Sequence, residues 1–261
     1  MRILYPAAMA AALIGVSADA TTTKISAQQS TITYSTTSGV TSGFGNYARA
    51  TSTVVYNPST DTYTIRDTGS LTTTSSFGPS DIASSSGNFT IYSKNGGAET
   101  FRLLNKAAVG LTYVDYGEWR RSSTASGTTS VNDTYLVFGS KTPGASVPHS
   151  GTASYSTMYD GNFADKNGGH ALSGTGSMTA DFLAGTLSYS AAINGVPSGA
   201  LAFSGSGSIN FGNASFATST TSSGYTFSQN GNFYGPSVNE VGGLFHLWSW
   251  TGSGQGAFVG H

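Results

Sequence analysis

The chain has 261 residues, of which 9% are charged, and its net charge is −1. That balance provides no basic face to neutralise phosphates and argues against nucleic acid as a partner. Cysteine is absent, which excludes disulfides, thiolate metal sites, cysteine nucleophiles and the lipid-bearing cysteine of a bacterial lipoprotein. Gly (35 residues), Ser and Thr dominate, yet 12% aromatic residues supply enough apolar surface to fold. Small polar residues interleaved with Tyr, Phe, Val and Ile suit strands with one wet face, so the fold class is all-β.

The first twenty residues read as a signal peptide. Arg2 supplies a positive start, Ile3 to Val16 is an apolar run, and Ala18-Asp19-Ala20 has the small-x-small form that signal peptidase accepts. A run of about 14 residues falls short of the ~20 that cross a hydrocarbon layer, so a membrane anchor is the weaker reading. The expectation is cleavage after Ala20 and an exported, soluble mature protein that is not a lipoprotein.

From Thr21 to Gly45 the chain is Ser/Thr-rich with one candidate strand, Ile32 to Tyr34. Thr51 to Tyr56 and Thr62 to Arg66 flank Asn57-Pro58-Ser59-Thr60-Asp61, where the chain reverses as a hairpin. A second hairpin pairs Phe89 to Ser93 with Glu99 to Leu103 across Asn95-Gly96-Gly97, residues that tolerate positive φ. Leu111 to Arg121 and Thr134 to Phe138 read as longer strands. Lys141 to Ser150, with Pro143, Gly144 and Pro148, lacks periodicity and should not continue a ladder. It is taken as the boundary between an N-terminal domain, residues 21–145, and a C-terminal one, residues 146–261.

Beyond that boundary the alternation is cleaner. Leu187, Tyr189, Ala191 and Ile193 face one way, and Thr186, Ser188 and Ser190 the other. Met178, Ala180 and Phe182 alternate with Ser177, Thr179 and Asp181, while Leu201, Phe203, Ile209 and Phe211 are separated by Gly205 and Gly207. Roughly eight such strands fit between Thr152 and Val259, a number that closes into a barrel filled by side chains or holding one small ligand. A barrel spanning the outer membrane would need an apolar outer band, and here that face is Ser, Thr and Asn.

The run Gly231-Asn232-Phe233-Tyr234-Gly235-Pro236-Ser237-Val238-Asn239-Glu240-Val241-Gly242-Gly243-Leu244-Phe245 resembles the late-barrel signature of transferrin-binding protein B lobes and their relatives. Pro148 to Tyr155 looks like the opening strand of that barrel, and Ala180-Asp181-Phe182 with Gly185-Thr186-Leu187 like its second and third strands. Leu111 to Trp119 is similar to the "handle" domain of transferrin-binding-protein-like solute-binding proteins. The resemblance implies an N-terminal β handle followed by an eight-stranded antiparallel barrel. It further implies a Gram-negative envelope protein, periplasmic, on the outer-membrane surface or secreted, that binds a small solute, haem or a partner protein in iron acquisition. Such a protein can also engage an outer-membrane translocator or receptor. One handle and one barrel, rather than paired lobes, make a small binding protein the nearer analogue.

Read physically, the same run is structural. Tyr234-Gly235-Pro236 ends a strand, Gly242-Gly243 allows close backbone approach, and Phe233 and Phe245 can plug a core. Glu240 suits a carboxylate bonding to turn amides.

No residue pattern carries catalysis. There is no Gly-x-Ser-x-Gly elbow in a strand-to-helix context, and Gly252-x-Gly254-x-Gly256 lies in predicted β structure with no helix or Lys to cradle phosphate. Asp115 and Glu118 should point to opposite faces of a strand as solvated charges rather than pair as glycosidase carboxylates. His149, His170, His246 and His261 lack paired metal-ligand spacing. His246, with Trp248 and Trp250 on the same face of one strand, offers an imidazole and an aromatic wall for haem, against the blander reading of a partly exposed strand residue. The reading is a non-enzymatic binding protein; the alternative is a structural or adhesive surface protein without a small ligand. Binding residues, catalytic residues and a resident metal or cofactor are not assigned.

Overall fold

The computed structural model describes residues 23–37, 40–42, 50–67 and 73–261. The expected signal peptide and its cleavage site lie outside them. The described residues form eighteen strands. The first ten are β1 (Thr23–Thr37), β2 (Val40–Ser42), β3 (Ala50–Asn57), β4 (Thr62–Asp67), β5 (Thr73–Phe77), β6 (Ile82–Ser86), β7 (Phe89–Lys94), β8 (Glu99–Leu104), β9 (Val114–Ala125) and β10 (Thr128–Gly139). They build one antiparallel sheet in the order β5-β4-β3-β1-β10-β9-β8-β7-β6, with β2 paired to the end of β1. The remaining eight are β11 (Thr152–Asp165), β12 (Gly168–Asp181), β13 (Thr186–Asn194), β14 (Leu201–Asn210), β15 (Ser215–Ser222), β16 (Tyr225–Tyr234), β17 (Glu240–Trp248) and β18 (Gly252–Gly260). They form a closed antiparallel barrel, in which β18 pairs back onto β11 from Thr157↔Gly260 to Asp165↔Gly252.

Local chemistry sets the hairpins. Asp61 at the β3–β4 turn and Asn95, Gly96 and Gly97 at the β7–β8 turn all take positive φ, as turn residues of these types can. On β13 the burial alternates without a break, Leu187, Tyr189, Ala191 and Ile193 inside and their neighbours outside. Three regions differ from the sequence expectation. The candidate strand Ile32 to Tyr34 is a small part of the 15-residue β1. β5 and β6, read as TTSSF and IASSS, carry almost no apolar alternation, yet they pair as edge strands. The segment after Gly139 does continue a ladder locally: Lys141 bridges Tyr234, and the Thr142 amide donates to the Phe233 carbonyl at 2.9 Å.

The N-terminal sheet curls around its own core. Phe77 on β5 lies 6.2 Å from Tyr92 on β7 and 5.3 Å from Phe101 on β8 between ring centroids, and Trp119 is fully buried beside them. Lys94 Nζ on β7 bonds the Ser76 carbonyl of edge strand β5, which satisfies an edge acceptor that would otherwise invite pairing. The barrel has a separate interior of Tyr155, Tyr159, Phe163, Phe227, Phe233, Phe245 and Phe258 with aliphatic neighbours. Phe203 and Phe227 stack at 4.7 Å.

A third apolar cluster joins the two. Leu104, Leu111, Val114, Tyr116, Tyr135 and Val137 of the sheet pack on Tyr234, Leu244, Ala257 and Val259 of the barrel's outer wall. Gly242 and Gly243 serve different sides of that wall. A Cβ on Gly242 would stand 2.6 Å from Val114 of the sheet, whereas one on Gly243 would stand 2.2 Å from the Asn230 carbonyl of the neighbouring strand. Only a residue without a side chain fits at both.

Candidate functional site

The barrel lumen is occupied by its own side chains. Phe163, Phe227, Phe233, Phe245 and Phe258 are all fully or almost fully buried there. Tyr159 donates to Gln229 Oε1 at 2.9 Å, and Gln229 Nε2 in turn donates to Thr218 at 3.3 Å, so these three side chains form a hydrogen-bonded chain inside the barrel. Eight strands leave an interior just wide enough for such filling. Of the two outcomes expected for an eight-stranded barrel, this is the filled one.

On the outside, β11 turns Met158, Asp160, Asn162 and Ala164 toward the N-terminal sheet, and the two middle residues meet a buried polar network. Arg102 bonds Glu118 at 2.8 Å and also pairs with Asp160, which accepts from the Tyr116 hydroxyl at 3.0 Å. Arg120 grips Asp133 through two bonds, 2.6 and 2.8 Å. The Asn162 amide nitrogen lies 3.1 Å from Glu118, 3.0 Å from Asp133 and 2.9 Å from the Tyr135 hydroxyl. Its two hydrogens serve two of these at a time. Three carboxylates thus share two guanidiniums and one amide across the junction. Burial pushes the Asp133 and Asp160 carboxyls up, against the pull of their arginines.

Glu240 is the second tie. Its Oε1 accepts the Thr112 amide at 2.6 Å, and its Oε2 accepts the Tyr113 and Val114 amides, both at 2.8 Å. The reading of a carboxylate on turn amides holds, but the amides belong to the approach to β9, 126 to 128 residues earlier in the chain. No local pattern could have named them.

The expectation of solvated charges at Asp115 and Glu118 is overturned. They do occupy opposite faces of β9, but Glu118 is only 7% exposed and sits inside the network. Asp115 is partly buried on the other face, and burial pushes its carboxyl up to about 7, with Lys106 and the Tyr116 amide opposing. Asp160, Asn162, Arg102 and Asp133 are not marked out by any sequence motif. The available signal is modest: Asp160 and Asn162 are the strongly polar outward positions of an otherwise Ser, Thr and Met face on β11.

The four histidines are dispersed. His149 stacks on Phe211 at 4.8 Å, His170 bonds Asp165 at 3.1 Å, and the His261 ring abuts Gly110. Among the described residues no group of three or more His, Cys, Asp or Glu is placed to hold a metal. His246 is a partly exposed residue of β17, within 3.1 Å of Ser253 Oγ. Trp248 ends that strand, but Trp250 lies beyond it in the turn, so the expected three-residue aromatic wall on one strand is not formed. The β17–β18 turn instead displays Trp248 and Trp250 at 47% and 98% exposure. Across the barrel from the sheet, a shallow groove of about 530 Å3 is lined by small residues, including Thr175, Ser190, Ala192, Ala202 and Ser204.

No protein-family profile matches the chain, and no curated protein matches it. Solved structures do. A mutant of the vaccine antigen Transferrin Binding Protein B from Haemophilus parasuis Hp5 superposes with a TM-score of 0.52 at 14% identity, over 89% of this chain and 45% of that one. Isotype 1 Transferrin binding protein B from serogroup B Neisseria meningitidis gives 0.51 at 14% identity, over 88% and 43%. The likeness is one of fold, and the chain spans less than half the length of these structures.

Proposed function

We propose that the chain is an exported, non-catalytic binding protein of a Gram-negative envelope that engages a partner protein on its outer surface in an iron-acquisition role. The observation that carries this reading is the filled barrel, since a lumen packed with Phe163, Phe227, Phe233 and Phe245 leaves a small solute no interior site. The sheet-plus-barrel architecture, like part of two proteins that bind transferrin by name, favours a protein partner over a free solute. The leader read at residues 1–20 supports export. The Arg102–Asp160 and Glu240–Val114 ties then have a function: they hold sheet and barrel as one body, so that loops from both can form one recognition surface.

Surface plasmon resonance with the immobilised mature chain tests this, using iron-loaded transferrin and iron-loaded lactoferrin as analytes. Saturable binding to either supports the carrier reading. A parallel titration with haem, followed at the Soret band, separates the carrier from its cargo: a shift lost in His246→Ala would transfer the reading to haem. Silence in all three assays would sink the iron-acquisition role.

A further inference from the structure

The barrel's antiparallel pairing collects four turns at one end: 165–168, 194–201, 222–225 and 248–252. The last of these carries Trp250, 98% exposed, and is flanked by Trp248 at 47%. Some of its polar groups bond within the turn. Ser249 N donates to the Gly252 carbonyl at 2.9 Å, the Thr251 amide to Ser249 Oγ at 3.3 Å, and the two hydroxyls lie 3.0 Å apart. The turn is therefore a partly self-bonded tip that presents indole to solvent.

The charge at this end is equally specific. The four turns contain one acidic residue, Asp165, which is buried and accepts the Asn167 amide at 2.7 Å and the His170 ring at 3.1 Å. Lys166 beside it is the only exposed charged side chain of these turns. The remaining turn residues are Gly, Ser, Thr, Asn, Ala, Val, Pro, Leu and Tyr besides the tryptophans. Among these turns, protruding tryptophans and a single exposed cation match the water–lipid interface, where the apolar ring, the indole N–H and the ammonium all find partners. Protein hot spots differ: their tryptophans sit at the centre of a patch, ringed by contacts that exclude water. Trp250 stands instead at the apex of a narrow hairpin.

We propose that this end of the barrel seats on a phospholipid surface, with Trp250 entering the headgroup layer, Trp248 following it and Lys166 facing anionic lipid. This goes beyond the partner reading and does not depend on it.

The chain has three tryptophans, and Trp119 is fully buried, so intrinsic fluorescence reports on the tip. The full mature chain is titrated with unilamellar vesicles of phosphatidylethanolamine and phosphatidylglycerol, and binding is checked by flotation. The expected result is a blue shift of emission with vesicle-bound protein. Trp250→Ser should lower partitioning at least about ten-fold while leaving the circular dichroism spectrum unchanged. Lys166→Glu should weaken binding to anionic vesicles and leave purely zwitterionic ones unaffected. Emission that stays unshifted at millimolar lipid would overturn the proposal and leave the tip to a protein partner. So would a shift that persists undiminished in Trp250→Ser.

Discussion

Glu240 Oε2 accepts the Val114 amide at 2.8 Å, joining the first residue of a barrel strand to the first residue of a sheet strand 126 positions earlier. The same carboxylate also takes the amides of Thr112 and Tyr113. A buried carboxylate that holds three amides makes charge-assisted bonds, and its loss leaves three donors to be satisfied by water that must penetrate the junction. Glu240→Gln keeps the shape but has a single acceptor oxygen and no charge. It should cost about 1–3 kcal/mol in urea unfolding, and Glu240→Ala more. An unchanged midpoint in both variants would show that the tie carries no stability.

The Arg102–Asp160 pair crosses the same junction. Removing Arg102 leaves the Asp160 and Glu118 carboxylates without their shared guanidinium in a poorly solvated site, and removing Asp160 leaves Arg102 only Glu118. Arg102→Met and Asp160→Leu should therefore each lose about 3 kcal/mol, and the double variant much less than their sum. A double-mutant cycle measures this directly; strict additivity would mean that the two groups do not cooperate.

Asp115 should shape the pH dependence of stability. Burial pushes its carboxyl up to about 7 in the folded chain, against about 4 when unfolded. The folded form thus binds the proton more tightly, so the stabilisation from this group is complete below about pH 4 and is lost as pH rises through about 7. A tenfold difference in proton affinity between the folded and unfolded forms is worth about 1.4 kcal/mol. Asp115→Asn should flatten the melting-temperature profile between about pH 5 and 8, relative to the native chain, and gain most at the alkaline end. A native chain that melts at one temperature across that window would rule out this role for Asp115.

The proposed unit 146–261 contains all eight strands of the closed barrel, so hydrogen bonding inside it is complete without the sheet. Its outer wall, however, would expose Leu244, Ala257 and Val259 and leave Asn162 and Glu240 without their partners. Expressed alone, the fragment is expected to give a β-type circular dichroism spectrum and a cooperative melt. That melt should come at a lower temperature than the full chain's, with self-association in sedimentation. A monomer as stable as the full chain would show that the junction is incidental.

What the sequence determined by itself is what depends on neighbours one to five residues apart. The alternation of Thr186 to Asn194 reports which side of β13 is wet, because side chains on a strand alternate strictly, and the Asn95-Gly96-Gly97 turn follows from backbone freedom at those positions. β5 and β6 escaped because Ser and Thr runs look alike whether they pair as an edge or not. The role of the outward face of β11 was illegible for a different reason. Asp160 and Asn162 have the pattern of solvent-facing residues, and only the sheet laid against them, from a segment 27 to 58 residues earlier, turns that face into a buried network. Whether a polar residue is wet or paired depends on what covers it, and that is settled by tertiary packing rather than by periodicity. Tertiary packing likewise seals Trp119 in a core, while Trp250, among Ser249, Thr251 and Gly252, stands in solvent.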